Sequence, residues 1–483
     1  MPEPIPSPLH FLHQQLGPLS SAEALQAYAA WWEADGRPIS AAVDRAGTPW
    51  LKMFNERGER VDEILYPPDY WRMLKQGYQS GVIWRAWEAQ SLVPVYQLGY
   101  LAAYYDPGVY CPYTVSLATA LSLEKYGSAQ LQAIYLAPLL RRDATVWQGA
   151  TWMTEIKGGS DLGAAVETRA TLTAEGWRLT GEKYFASNVG AELAVVAARP
   201  AGAPATIRGL ALFLVPRYRA DGRLNYHIRR LKDKIATRSV PTGEVELHDS
   251  EAHLVGQAEH GIYLLLEVLN ISRVANSVAS VALMHRALAE AEAYAQTRRA
   301  FGKPIGEHPL LARQFHERRA ELRAALALAW EAVTLLDAVW RELPPYSERY
   351  QLFRLIAHLA KYWTAEQAVQ TAKWGMEAHG GLGTLAEFGA ERWLREAMIL
   401  SIWEGTPHRQ MLDGLEVMAR KQAHRLLFEH VRPYTDDATR QALAAQIDAH
   451  LARSPHDQEA EAEGLFRELA LFTSQALAAK YPG

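Results

Sequence analysis

Phe315, Leu322, Leu326, Val333 and Leu336 follow one another at steps of seven, four, seven and three residues, the interval at which one face of an α-helix returns. A second stripe, Ile356, Leu359, Tyr362, Val369, Ala372 and Met376, repeats the pattern. Apolar stripes of this length are covered by other helices, so the region from about residue 262 to 420 reads as a long-helix bundle whose stripes are core. Upstream the period changes. Between about 160 and 255 the runs are short and punctuated by Gly and Pro. "AVETRATLT" and "WRLTGEKYF" flank Ala174-Glu175-Gly176 as a hairpin, and "AELAVVAARP", "GLALFLVPRY" and "TGEVELHD" are further strands. From about 20 to 150 the pattern is helical and broken by prolines, as in "SAEALQAYAAWWEA" and "TVSLATALSLEKYG". The organisation predicted is helical over 1–150, a small β domain over 151–260, the bundle over 261–420 and a helical tail over 421–483.

Composition narrows the class. A chain of 483 residues exceeds one ordinary core, so two to four domains are expected. A net charge of −4 supplies no global attraction to nucleic acid or acidic membranes. Cys111 is the single cysteine, so no intrachain disulfide and no cysteine-based metal site can form, and no metal site is read. The first residues, "MPEPIPSPLHFLHQQ", lack the basic and apolar regions of a secretory signal. No apolar run reads as long enough to span a bilayer. A soluble, cytoplasmic protein is expected.

Four stretches carry candidate chemistry. "WMTEIKGGSDLG" (152–163) offers the hydroxyls of Thr154 and Ser160 around Gly158 and Gly159, where backbone N–H groups can approach a ligand closely. It fits neither a Walker loop nor a dinucleotide fingerprint. "HGGLGT" (379–384) is a second glycine-rich turn, ending a long helix where a phosphate or an adenylate can pack, although a helix C-cap is the commoner use of such a turn. "TRRAFGKPIGEHPL" (297–310) is a basic, aromatic turn between long helices. "SIWEGTPHRQ" (401–410) sets Glu404 after an apolar run, with Leu400 and His408, not lysine or arginine, four residues to either side. Apolar walls raise a carboxyl pKa and make a general base near neutral pH. The residues alone leave a second reading open, a glutamate that ends a helix at Gly405.

In this order and spacing, "MTEIKGGSD", "GEKYFASN", "RRAFGKPIGEHP", "EAHGGLGT" and "REAMILSIWEGT" resemble the successive signatures of the acyl-CoA dehydrogenases, over about residues 60–420. "VYCPYTVSLATA", "RLKDKIATRS", "SIWEGT" and the tail resemble more narrowly the AidB-like, alkylation-response branch. The resemblance implies a mainly α fold with a central β domain: N-terminal helical domain, small β-barrel, C-terminal four-helix bundle and extra helical tail. It implies FAD as cofactor and Glu404 as the base that removes the α-proton of an acyl thioester, while β-hydride passes to flavin N5. By the same resemblance Thr154, Gly159 and Ser160 reach the flavin from the first β-domain loop, Phe185 and Ser187 lie beside its ring, and Thr406 is a further contact. Arg298 and Phe301 hold the FAD of a neighbouring subunit in a homotetramer, and Gly380 and Gly381 admit its ADP half. Arg273 is kept from the family's acyl-CoA contacts. The aromatic and acidic residues expected beside it are replaced in Leu269-Asn270-Ile271-Ser272, and Glu377 stands where many members have glutamine.

Two functions follow from the resemblance. One is an FAD-dependent acyl-CoA dehydrogenase with an acyl-CoA or related acyl ligand and an electron-transfer partner. The alternative is an AidB-like flavoprotein with little turnover that binds DNA or a fatty acyl ligand in a stress response. The tail weighs against DNA: residues 420–483 hold eight Lys or Arg and nine Asp or Glu. Five of these eight, Arg420, Lys421, Arg425, Arg432 and Arg440, are the candidates for a local basic patch, read here as the solvated face of an amphipathic helix.

Overall fold

The computed structural model describes residues 5–481. The chain folds as two compact units interleaved in sequence: Ala30–Gln90 with Asp106–Ser272, and Met1–Ala29, Ser91–Tyr105 with Arg273–Gly483.

The first unit is built on strands β1 (Trp50–Phe54), β2 (Arg60–Leu65), β3 (Gly149–Trp152), β4 (Arg169–Thr173), β5 (Gly176–Ser187), β6 (Leu193–Pro200), β7 (Ala211–Pro216), β8 (His227–Leu231) and β9 (Thr242–Val255). β4 pairs antiparallel with β5, β5 with β9, β9 with β7 and β7 with β6, and β6 returns parallel to β4. The circle closes. A closed barrel consumes the edges at which open sheets aggregate. Its interior is apolar, with Leu179, Ala186, Val196, Phe213, Val245 and Leu247 all buried. The hairpin read from the sequence forms with Thr173 opposite Gly176, whose φ of +114° suits the tight return.

β1 and β2 form a hairpin inside the stretch that reads as helical. "LKMFNERGERVDEIL" is too charged to show an apolar alternation. Leu51 and Ile64 pack on the barrel core, and buried polar contacts add to them. Asp62, fully buried at φ +42°, accepts from the Ile228 amide at 2.8 Å and from Arg60 Nε at 3.1 Å, while its carbonyl accepts from Arg217 at 2.6 Å.

The second unit is helical. Its helices are α1 (Gly261–Thr297, the first turns of which belong to the barrel unit), α2 (Pro309–Val339), α3 (Glu348–Ala378), α4 (Ala390–Ile402) and α5 (Pro407–Lys421). α3 packs against α2, α4 and α5. α1 is tied to α2 by Arg319 Nε donating to Glu292 at 2.6 Å, and to α4 by Asn276 donating to the Leu400 carbonyl at 3.0 Å. The α2 stripe is buried throughout, and the α3 stripe is buried at Ile356, Leu359, Tyr362 and Ala372 and half-buried at Val369 and Met376.

One expectation needs correction. α1 is long and apolar enough, by composition, to cross a bilayer, with a window of mean hydropathy 1.3. That window is 83% buried inside the protein, and the helix buries Asn270, Arg273, Asn276 and His285, so its apolarity serves a packed core. Its polar residues are spread among apolar ones, which is why no uninterrupted apolar run was visible.

The tail, α6 (Ala423–Val431), α7 (Asp437–Leu451) and α8 (Ala462–Lys480), docks on the bundle. Phe466 of α8 lies so close to Gly414 that a Cβ there would come within 2.3 Å of its ring. Buried Glu331 of α2 latches the end: it accepts from His430 at 2.7 Å, Lys480 at 2.6 Å and the Tyr481 hydroxyl at 3.1 Å. Burial raises the Glu331 carboxyl, but His430 and Lys480 reverse this and hold it below its ordinary value.

Candidate active site

Glu404 sits where α4 ends. Trp403 is extended (φ −69°, ψ 164°), and Glu404 at φ +58° and Gly405 at φ +99° then carry the chain into α5. A left-handed glutamate costs on the order of 1–3 kcal/mol and persists only where its surroundings enforce it. Here they do. Carbonyls at the helix end and in the turn beyond it accept from side chains of other helices. Lys361 Nζ of α3 donates to the Ser401 carbonyl at 2.8 Å and to the Gly405 carbonyl at 2.7 Å. Gln410 Nε2 of α5 donates to the Glu404 and Gly405 carbonyls at 3.0 and 3.1 Å. Arg273 Nε of α1 makes a longer bond to the Glu404 carbonyl, 3.4 Å.

These donors are themselves held. Gln410 Oε1 lies 2.9 Å from His358 Nδ1, and Asp413 bridges Arg273 (3.1 Å) and Arg409 (2.8 Å). Burial, then Arg273, push His358 down to about 3, so its ring is neutral. Burial raises Asp413, but the charges of Arg273 and Arg409 overcome it and keep the carboxylate below its ordinary range. Burial drives Lys361 down to about 7, against the pull of Glu404. Arg273, expected at the substrate, is 3% exposed and spends its guanidinium on Asp413 and the Glu404 carbonyl.

The glycine turn lies at the far end of α3. Gly380 has φ +61°, and a Cβ added at Gly380 or Gly381 would meet nothing within 4 Å. The turn is open. Thr406 is the N-cap of α5, and its side chain makes no capping bond. Arg298 is exposed just beyond α1. Phe301, 95% exposed at φ +51°, sits at the tip of the small Arg299–Ala300 and Lys303–Pro304 hairpin.

On the barrel unit, Thr154, Phe185 and Ser187 are brought to one place. The Tyr184 amide donates to the Thr154 carbonyl at 3.0 Å, and Trp152 Nε1 donates to the Ser187 carbonyl at 3.0 Å. Ser187 Oγ lies 3.1 Å from Thr242 Oγ1. The β5–β9 register sets Tyr184 and Phe185 against the single residue Glu244, a bulge that re-aims side chains. Phe185 is 53% exposed, with Lys232 Nζ 4.8 Å from its ring centre and 3.2 Å from that of Tyr184. Gly159 (φ +53°) and Ser160 lie at the exposed tip of the loop. Glu155 anchors that loop: it pairs with buried Lys183 at 2.6 Å and accepts from the Glu167 amide (2.6 Å) and Thr168 Oγ1 (2.6 Å).

Elsewhere on the barrel, ligand atoms of His227, Glu246 and His248 come within 4.8 Å of one another across β8 and β9. Glu246 there already accepts from Arg229 at 2.9 Å.

Comparison with known proteins adds the family. Residues 259–419 match the acyl-CoA dehydrogenase C-terminal domain, 150–250 its middle domain and 6–143 the N-terminal domain of the adaptive response protein AidB. Acyl-CoA dehydrogenase family member 11 of Caenorhabditis elegans is 32% identical over 417 residues, 81% of this chain and 67% of that protein. AidB of Escherichia coli (strain K12) is 30% identical over 447 residues, 86% of this chain and 80% of that protein. The chain belongs to the acyl-CoA dehydrogenase family. Its relatives and its N-terminal domain put it in the AidB-like branch. The structure of Caenorhabditis elegans ACDH-11 in complex with C11-CoA has the same fold, with a TM-score of 0.84 at 26% identity, covering 98% of this chain and 86% of that one.

Sequence motifs missed the residues that hold the site. Lys361 and Asp413 lie outside every motif, while Glu155, Lys183 and Gln410 lie inside "MTEIKGGSD", "GEKYFASN" and "SIWEGTPHRQ" with no role read for them there. The one signal was Lys361 itself, a lysine within the apolar run "LIAHLAKYW".

Proposed function

We propose that this family member is an FAD-dependent acyl-CoA dehydrogenase in which Glu404 is the base for the α-proton. The observation that carries this reading is the Glu404 turn, a strained carboxylate-bearing backbone over-determined by donors from three helices. Nothing in a helix terminus requires that expense, whereas a base must be held in place to act.

The residues present suit a flavin. The exposed, bulge-directed Phe185, two residues before Ser187 and next to the Tyr184 amide that binds the Thr154 carbonyl, offers an apolar face with polar neighbours. The open Gly380-Gly381 turn has room for a ligand's close approach. Gly159 and Ser160 contribute loop-tip backbone and a hydroxyl, and Thr406 an uncommitted cap hydroxyl. When bound, FAD supplies the two-electron acceptor. Glu404 accepts the α-proton on its carboxylate, and Lys361, Gln410 and Arg273 hold its backbone during that transfer. ACDH-11 was crystallised with C11-CoA, which supports a thioester of medium chain length as ligand. A soluble electron-transfer protein is proposed as the acceptor of the flavin's electrons.

Arg298 and the 95%-exposed Phe301 are proposed to reach the flavin of a neighbouring copy in a homotetramer. An aromatic ring so exposed gains by being covered. Light scattering should give four chains, and Arg298→Ala should lose flavin on dilution faster than wild type; equal retention would remove that role.

The test of the function is a visible spectrum of the purified protein, then anaerobic titration with butanoyl-, octanoyl-, undecanoyl- and hexadecanoyl-CoA. A yellow protein bleached by at least one thioester is expected. Glu404→Gln should keep the flavin and slow its reduction by ~10²–10⁴-fold, the usual contribution of a positioned base. Bleaching at the wild-type rate would return Glu404 to the role of a helix end.

The DNA reading finds no support in the tail. Arg420 pairs with Glu416, Arg425 with Asp448, Arg432 with Glu429 and Arg440 with Asp437.

A further inference from the structure

Lys361 lies in the middle of α3 and is 0% exposed. Its ammonium meets no carboxylate within ion-pairing distance among the described contacts. It donates instead to the two carbonyls that bracket Glu404, Ser401 at 2.8 Å and Gly405 at 2.7 Å. A neutral donor could serve these carbonyls, as Gln410 already does for Gly405 at 3.1 Å. A lysine adds what an amide lacks, a unit of positive charge beside the one carboxylate that the turn presents. The charged groups that act on Lys361 are Glu404 from the turn, Arg273 from α1 and Glu366 from its own helix. Asp413, the other nearby carboxylate of α5, is already engaged by Arg273 and Arg409.

We infer that Lys361 is a positioning residue for Glu404: its ammonium fixes the turn through the Ser401 and Gly405 carbonyls, and its charge keeps the Glu404 carboxylate ionised in a half-buried site. This rests on the reading of Glu404 as the base. An opposite charge lowers a carboxyl pKa and its removal raises it, so a variant that keeps a donor but loses the charge changes when Glu404 takes up a proton. A purely structural lysine predicts a uniform loss of activity and no such change.

The experiment is infrared difference titration of the flavin-loaded protein, with Glu404→Gln as the reference that identifies the Glu404 carboxyl band. In Lys361→Gln that carboxyl should protonate about one pH unit or more above wild type, and Lys361→Arg should bring it back. kcat for the thioester of the panel that reduces wild type fastest should fall in Lys361→Gln with KM little changed. Equal Glu404 titration in wild type, Lys361→Gln and Lys361→Arg would overturn the inference. Wild type itself provides a check that no variant's folding can spoil. The carboxylate stretch of Glu404 should change frequency over the pH range in which the Lys361 ammonium itself loses its proton, followed with 15N-labelled lysine, and a Glu404 band unchanged across that titration would equally overturn it. Failure of the base reading is a separate outcome, seen as a Glu404→Gln variant that still reduces its flavin.

Discussion

Lys183 in the barrel unit and Lys361 in the helical unit are both almost completely buried, at 1% and 0% exposure, yet they are satisfied in opposite ways. Lys183 lies 2.6 Å from the carboxylate of Glu155, which is itself tied to Thr168 and Glu167. Burial pushes Lys183 below its ordinary value against the attraction of Glu155. Burial likewise raises Glu155, but Lys183 and the hydrogen bonds overcome it, and the carboxylate ends below its ordinary range. Charge meets charge, and the product is a fixed loop. Lys361 meets backbone carbonyls, so its charge is not consumed where it sits. The first lysine holds the loop that carries Thr154, Gly159 and Ser160, and the second holds the turn that carries Glu404.

The largest effect expected from this contrast is on stability. Lys183→Met leaves Glu155 as a buried charge without its partner, and breaking such a pair costs roughly 3–5 kcal/mol. Urea unfolding should register that loss, and adding Glu155→Gln to the variant should recover part of it. A loss below about 1 kcal/mol, the range of exposed pairs, would mean that the loop is held by its other bonds.

A pH effect separates the two lysines next. Lys361 falls from 10.5 in the unfolded chain to about 7 in the fold. Between those values the unfolded chain binds the extra proton, so stability rises with pH across the window. The contribution is complete above the unfolded value and is lost as the pH falls through the folded one. Wild type should therefore gain on Lys361→Met as the pH rises from about 7 towards 10, by an amount on the order of a few kcal/mol. Urea midpoints at several pH values measure the difference. A flat difference would place the Lys361 titration outside that window.

The smallest effect concerns surface charge, where lysines and arginines are neither buried nor alone. Arg420, Arg425 and Arg432 have carboxylate partners, and exposed pairs of this kind contribute about 0–1 kcal/mol. Reversing the charge of Arg420, Lys421, Arg425 and Arg432 should leave thermal unfolding within a few degrees of wild type. Duplex DNA binding, measured across salt, should stay at the weak end of roughly 10⁻⁴–10⁻⁶ M before and after. Submicromolar binding with a steep salt slope, lost on reversal, would make the alternative reading the right one.

Much of the architecture was legible because periodicity is local. The β4–β5 hairpin follows from two alternating runs around Ala174-Glu175-Gly176, and the α2 stripe from steps of three, four and seven. The β1–β2 hairpin was not legible, because its charged sequence shows no apolar alternation and Asp62 and Arg217, beside Leu51 and Ile64, hold it to the barrel. α1 was legible as a helix but not as one apolar enough to span a bilayer, since its polar residues hide the run and packing alone explains its composition.

By itself, the sequence determined where the bundle helices and the β4–β5 hairpin lie, which glycines stand at open turns, and that one glutamate closes an apolar helix end. These depend on neighbours a few residues apart, and a single chain displays them directly. What holds that glutamate was decided by tertiary structure alone. Read locally, Glu404 has Leu400 and His408 four residues away and no cation at all. Folded, its carbonyl and those around it are collected by Arg273, Lys361 and Gln410 from three helices. Hydrogen bonds and charges act over a few ångströms of space, whatever the separation along the chain, so a base and the lysine behind it become neighbours only when the bundle closes.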